Sequence, residues 1–125
     1  MDKDFEILLN EAKKLINRVE LNKYITYGGV ASALMTDKGN IYTGVYIEAK
    51  CGIGFCAEHS AIADMIKHGE TKIVKIVSAK KGQIYPPCGR CRELIRMLDE
   101  ENLKTKVLLE DGKVITIGEL LPYPW

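Results

Sequence analysis

The 125-residue sequence predicts a three-layer α/β/α sandwich on a mixed five-stranded sheet. Three observations predict it. Segments of helical and strand period alternate in the order helix, two strands, helix, strand, helix, two strands. Residues Ile73 to Ala79 form a β-branched run of the kind buried between two helical layers. Composition is that of a folded chain, 46% hydrophobic and 28% charged, with no repeat, low-complexity tract or linker, so a single domain over residues 1–125 is the economical reading.

Residues 3 to 20 read as an amphipathic helix, because Phe5, Leu8, Leu9, Ala12, Leu15, Ile16 and Val19 recur at three- and four-residue steps. Val30 to Thr36 and Ile41 to Ile47 read as a hairpin around Asp37-Lys38-Gly39-Asn40. Cys51 to Phe55, with two glycines, reads as a loop. Ala57 to Lys67 has helical spacing and stops at Gly69, a usual residue just past a helix end. After the strand at Ile73 to Ala79, Lys80 to Pro87 reads as a loop ending in two prolines. Gly89 to Glu101 reads as a helix buried through Leu94, Ile95 and Leu98. Thr105 to Glu110 and Val114 to Ile117 read as strands around an Asp111-Gly112 turn, and prolines keep Leu120 to Trp125 irregular.

Charge and cysteine usage narrow the function. A formal net charge of +1 argues against a strand-binding nucleic-acid channel or an anionic membrane surface. No run of eighteen apolar residues is present, so no membrane span is expected. The charged start Met1-Asp2-Lys3-Asp4 is unlike a secretion signal. Four cysteines without such a signal point to a reducing, cytoplasmic compartment, where spaced cysteines mean metal or catalysis more often than disulfides.

The chemistry concentrates in Cys56-Ala57-Glu58 and Pro87-Cys88-Gly89-Arg90-Cys91. Catalytic zinc usually takes three protein ligands and keeps a fourth position open. Cys56, Cys88 and Cys91 supply that count, and each motif opens a predicted helix, where partial positive charge favours thiolate. Glu58 stands two residues past Cys56. A carboxylate there suits a proton carrier rather than a ligand: zinc acidifies water, and the carboxylate takes its proton and passes it to a ring nitrogen and a leaving amine. Zinc deaminases divide the labour in this way. A Cys-x-x-Cys pair alone also fits a redox pair or structural zinc. A non-catalytic zinc-stabilised interaction module is the alternative from another class, and a nucleic-acid-editing deaminase is a third. A structural site has no need of Glu58, and an editing enzyme needs a basic channel. Cys51 fits neither spacing and reads as a plain loop or core thiol.

With these motifs the chain resembles the cytidine deaminase superfamily over nearly its whole length. The likeness is greatest to the blasticidin S deaminase branch, with the free-nucleoside cytidine deaminases next. Val30-Ala31-Ser32-Ala33-Leu34, Thr43-Gly44-Val45, the two cysteine motifs, and Glu119-Leu120-Leu121-Pro122 carry it. The resemblance implies a homotetramer with active sites near subunit interfaces, one Zn2+ per subunit, and a small nucleoside-like substrate. It implies the Ala57 N–H at the ring carbonyl and the Cys88 carbonyl at the leaving amine. It also implies a tail aromatic, Tyr123 or Trp125, closing over a bound pyrimidine.

Departures bear on the substrate. Where nucleoside enzymes have Asn-x-Glu gripping the ribose, this chain has Tyr46-Ile47-Glu48, which keeps the carboxylate and loses the amide. Glu48 is expected at the substrate; Tyr46 is a candidate contact or an ordinary strand residue. Three thiolates around a divalent cation leave one net negative charge, which weakens the metal as an electrophile. Arg often follows Cys-Ala-Glu in three-cysteine relatives; here His59 does. Arg90, between the paired cysteines, is the expected compensator, and His59 a candidate donor to a metal-bound sulfur. Blasticidin S, cytidine and deoxycytidine all remain open as substrates.

Overall fold

The structure, a computed structural model, describes residues 1–125. The first helix, α1, spans Lys3–Leu15, with Asp2 at its start accepting the Phe5 N–H at 2.9 Å. Strands follow at Val19–Glu20 (β1), Ile25–Thr36 (β2) and Ile41–Ala49 (β3). Helix α2 is Ala57–Lys67, and β4 and β5 are Ile73–Lys80 and Gln83–Tyr85. Helix α3, Gly89–Leu98, precedes β6 (Lys106–Leu108), β7 (Val114–Thr116) and the one-turn helix α4 (Ile117–Leu120).

The sheet is mixed and has seven strands, not five. Its spine is the expected five, in the order β3-β2-β4-β6-β7, with β4 and β6 parallel and the other pairs antiparallel. The two additional strands are short pieces filling gaps along that spine. β1 pairs with Thr26 and Tyr27 of β2, beyond the reach of β4. β5 pairs with residues 78–80 of β4, beyond the reach of β6.

Alternation along the strands builds two cores. On one face Ala31 and Ala33 of β2, Val77 and Ala79 of β4 and Leu108 of β6 pack under Phe5, Leu8, Leu9 and Ala12 of α1. On the other, Leu34, Ile76 and Val107 meet Ala61, Ile62 and Met65 of α2 and Ile95 of α3. Helices therefore cover both faces, as the sequence predicts.

Boundaries differ where tertiary contacts override period. The first helix stops at Leu15 rather than residue 20: Ile16 is extended, Asn17 donates to the Gly28 carbonyl at 2.8 Å, and Val19 belongs to β1. The third helix stops at Leu98 because Asp99 turns extended and caps a separate 3-10 turn over Glu100–Lys104. That turn carries the buried Asn102, whose side chain bonds the backbone of Thr71, Ile73 and Ile95. No helix is long and apolar enough to cross a membrane.

Candidate active site

The site is assembled by two helix starts. β3 leads into a loop in which Cys51 and Gly52 adopt successive left-handed conformations, φ 62° and 65°. The chain then doubles back, and Ile47 and Phe55 exchange two backbone hydrogen bonds of 3.0 Å. Gly54 makes this possible, since a β-carbon there would lie 2.0 Å from the Ile47 carbonyl oxygen. Gly44 similarly lets α2 lie directly on β3, where a β-carbon would meet the Ala61 nitrogen at 2.4 Å. These two close approaches fix where α2 begins.

Cys56 occupies the cap position of α2 and Cys88 that of α3, and neither thiol caps its own helix. Serine or aspartate there would turn inward to bond a backbone N–H. The cysteines instead turn to each other, with Cys56 Sγ 3.5 Å from Cys88 Sγ and Cys88 Sγ 3.5 Å from Cys91 Sγ. All three sulfurs lie within 4.8 Å of one another. Tetrahedral zinc with bonds of about 2.3 Å needs sulfurs about 3.8 Å apart, so this donor set fits one Zn2+ per chain. Cys51 is exposed on its loop and outside the group.

The sulfurs are unequal. Burial works against the Cys88 thiolate, but the Cys91 N–H, the two neighbouring thiols and the Arg90 N–H outweigh it and hold Cys88 below the ordinary thiol range. Burial, then the contact with Cys88, pushes Cys56 up. Cys91, fully buried, is pushed far up by burial and then by Glu58. A cation placed among the three sulfurs relieves the cost of ionising them together.

Glu58, in the first turn of α2, is only 5% exposed. Burial pushes its carboxyl above the usual range, and its own backbone N–H, the Ser78 hydroxyl and Cys91 oppose that only in part. Burial that disfavours the charged form in this way is a feature of carboxyls that carry protons. Ala57, between Cys56 and Glu58, is buried. The Cys88 carbonyl accepts the Arg92 N–H at 3.0 Å.

Several other expected residues are brought to this place. Tyr46, Glu48, Cys56 and Arg90 are among the residues that line one cavity of about 210 Å³. His59 sets Nδ1 3.4 Å from Cys91 Sγ. Burial, then the nearby Arg90 charge, lowers the His59 pKa, which favours a neutral ring able to donate one N–H to a thiolate. Tyr123 and Trp125 are not brought in: they are 94% and 89% exposed, and the tail is tethered by the Trp125 N–H donating to Glu93 at 2.8 Å.

Two features lacked a sequence signal of their own. Arg92 donates from Nε to the Pro87 carbonyl at 2.7 Å and from Nη1 to the Leu120 carbonyl at 3.0 Å, buckling the cysteine loop to α4. Ser78, whose hydroxyl helps hold the Glu58 shift in check, donates to Ser32 Oγ at 3.1 Å, and both read in sequence as ordinary strand residues.

Comparison with known proteins gives this geometry its context. A profile of the cytidine and deoxycytidylate deaminase zinc-binding region matches residues 3–106. A cytidine deaminase of Halalkalibacterium halodurans is 34% identical over 105 residues, covering 79% of this chain and 80% of that protein. A blasticidin-S deaminase of Bacillus cereus is 32% identical over 132 aligned positions, covering 95% and 89%. The crystal structure of cytidine deaminase from Mycobacterium leprae superposes with a TM-score of 0.80 at 26% identity, over 98% of this chain and all of that one.

Proposed function

Because the chain belongs to the cytidine and deoxycytidylate deaminase zinc-binding family, we propose that it hydrolyses the exocyclic amine of a cytosine ring in a free nucleoside or nucleoside-like compound. One observation carries this reading: a buried carboxyl, Glu58, adjoins three sulfurs spaced for one zinc ion. A purely structural zinc site gains nothing from that carboxyl and bears the cost of burying it.

Cys56, Cys88 and Cys91 are the proposed ligands. Zinc held there supplies an electrophilic centre that makes water nucleophilic near neutral pH. Glu58 accepts the proton that water loses at a carboxylate oxygen. It passes that proton to the ring nitrogen beside the reacting carbon, then takes the remaining proton of the added hydroxyl and delivers it to the departing amine. A C–O bond forms, the C–N bond breaks, and ammonia leaves. The Ala57 N–H, in the first turn of α2, is the proposed donor to the ring carbonyl, and the Cys88 carbonyl, which accepts one bond from the Arg92 N–H, is the proposed acceptor for the leaving amine. Arg90 offsets the negative charge of the thiolates from the cavity side, and His59 donates an N–H to Cys91.

Glu48 and Tyr46 share the cavity with Cys56, which supports a sugar or sugar-like group lying along β3. Cytidine, deoxycytidine and blasticidin S are the proposed substrates. The exposed tail aromatics fit a homotetramer in which Tyr123 or Trp125 completes a neighbouring subunit's pocket, in the cytoplasm. Ammonia release from cytidine, deoxycytidine, cytosine and blasticidin S tests the reading. Turnover of at least one, abolished in Glu58→Gln with zinc retained, is expected. Zinc-loaded protein inert on all four would overturn it.

A further inference from the structure

The chain ends in a segment held at both ends by consecutive residues of α3. Arg92 Nη1 donates to the Leu120 carbonyl at 3.0 Å, and Glu93 Oε1 accepts the Trp125 N–H at 2.8 Å. Between the two bonds lie Leu121, Pro122, Tyr123 and Pro124. Proline fixes its own φ and confines the residue before it to extended backbone, so this stretch is stiff as well as tethered. A chain end is ordinarily mobile unless it is docked. Here the backbone is docked, yet the two large aromatics cover nothing: Tyr123 is 94% exposed and Trp125 is 89% exposed. Holding them in water gains the single chain no burial. Glu93 does not serve stability alone either. Its other oxygen, Oε2, is buried with no hydrogen-bond partner, which is costly in an isolated chain.

We propose that Glu93 is a positioning residue that pins the C-terminal segment, so that Tyr123 and Trp125 are presented already ordered to the pocket of a second copy of this chain. The proposal rests on the reading that a tail aromatic completes a neighbouring subunit's site. A loose tail would lose its freedom on docking, and that loss would be subtracted from substrate binding. A tail pinned by Glu93 and stiffened by two prolines meets the ordering cost during folding instead. Arg92 fixes where the segment starts, because its Nε also donates to the Pro87 carbonyl at 2.7 Å, just before Cys88. Glu93 fixes where it ends. The Glu93 bond is to the Trp125 backbone, which leaves the indole free for contact. A ring held against substrate throughout the reaction contributes mainly uniform binding, so the tether acts on KM.

Trp125 is the only tryptophan, so its fluorescence reports the tail directly. Glu93→Ala, Glu93→Gln, Pro124→Gly and a chain lacking residues 123–125 test the proposal, each with zinc content, light-scattering mass and kinetics on the best substrate among cytidine, deoxycytidine and blasticidin S. Glu93→Ala should lower Trp125 anisotropy and raise KM about fivefold, the scale of one lost hydrogen bond, with kcat near wild type and one zinc per chain. Glu93→Gln keeps an acceptor oxygen and should return both anisotropy and KM to near wild type. Pro124→Gly keeps Glu93 but loosens the segment, and should raise KM about twofold. Wild-type anisotropy or KM in Glu93→Ala, a glutamine variant as weak as the alanine one, or kcat and zinc falling along with KM would each overturn the proposal. Where Glu93→Ala does not fold, wild-type anisotropy and KM in Pro124→Gly overturn it. Wild-type KM in the truncated chain would instead overturn the tail reading, while the anisotropy of Glu93→Ala would still show whether the tether exists.

Discussion

Two buried glutamates flank α2, and their surroundings are opposite. Glu58 at the start is 5% exposed and Glu70 just past the end is 6% exposed. Asn40 Nδ2 at 2.9 Å and the Tyr42 hydroxyl at 2.7 Å both donate to Glu70, and these donors hold its carboxyl below the usual range against the effect of burial. The same bond pushes the Tyr42 hydroxyl up to about 12. At Glu58 burial prevails and the carboxyl is pushed up. Low exposure alone therefore does not distinguish a reacting carboxylate from a structural one. Glu58 lies deep enough for burial to outweigh its partners, whereas Glu70 lies near the surface, where its two donors outweigh burial and staple the β2–β3 turn to the end of α2.

The largest break in this contrast comes from removing the metal donors. Cys56→Ala, Cys88→Ala and Cys91→Ala should each take bound zinc from one per chain to none, with turnover lost. Metal analysis checks this, and Cys51→Ala is the control that should keep its zinc. Zinc lost only on changing Cys51 would refute the assignment.

Exchanging each glutamate for glutamine sharpens the contrast directly. Glu58→Gln should lose on the order of 10²–10⁴ in kcat, the usual scale for a proton-transfer group, with zinc retained. Glu70→Gln should leave kcat and KM near wild type. Comparable kinetic losses in the two variants would remove the distinction.

Much of this arrangement was legible in the sequence, and for physical reasons. The cysteine motifs carry ligand count and helix position in short local spacing, so Cys56, Cys88, Cys91 and Glu58 could be read together. The five spine strands announced themselves by period. What stayed hidden depends on long-range contacts. β1 exists because β4 stops short of Thr26, and Val19 alone looks like the last turn of a helix. Ser78 meets Ser32 across 46 positions of sequence, through strand register that no local pattern specifies. Glu70 has no local signal, because Asn40 and Tyr42 are brought to it only by the hairpin.

A milder effect is expected at the rim. Glu48→Ala should raise KM more than it lowers kcat, because a group gripping a remote hydroxyl throughout the reaction contributes mainly uniform binding. Deleting residues 123–125 should likewise raise KM while leaving zinc in place, since the tail supplies none of the metal-ligating sulfurs. Light-scattering mass alongside kinetics separates the two. An active monomer, or a truncated tetramer with wild-type KM, would remove the tail from the pocket.

The smallest effect is in stability and belongs to Glu70. Its folded pKa lies below the ordinary carboxylate value, so it releases its proton more readily folded than unfolded. The stability it contributes is therefore present above the unfolded pKa and is lost as pH falls through the folded value. Glutamine cannot titrate, so Glu70→Gln should lack this part of the pH dependence. At pH 7 the wild type should unfold at higher urea than Glu70→Gln, and the gap should narrow steadily as pH falls below about 4.5. Paired urea titrations at pH 7, 5 and 3 measure it. A gap that stays constant with pH would mean that Glu70 acts through packing alone, and its donors would then no longer explain why this buried carboxylate differs from Glu58.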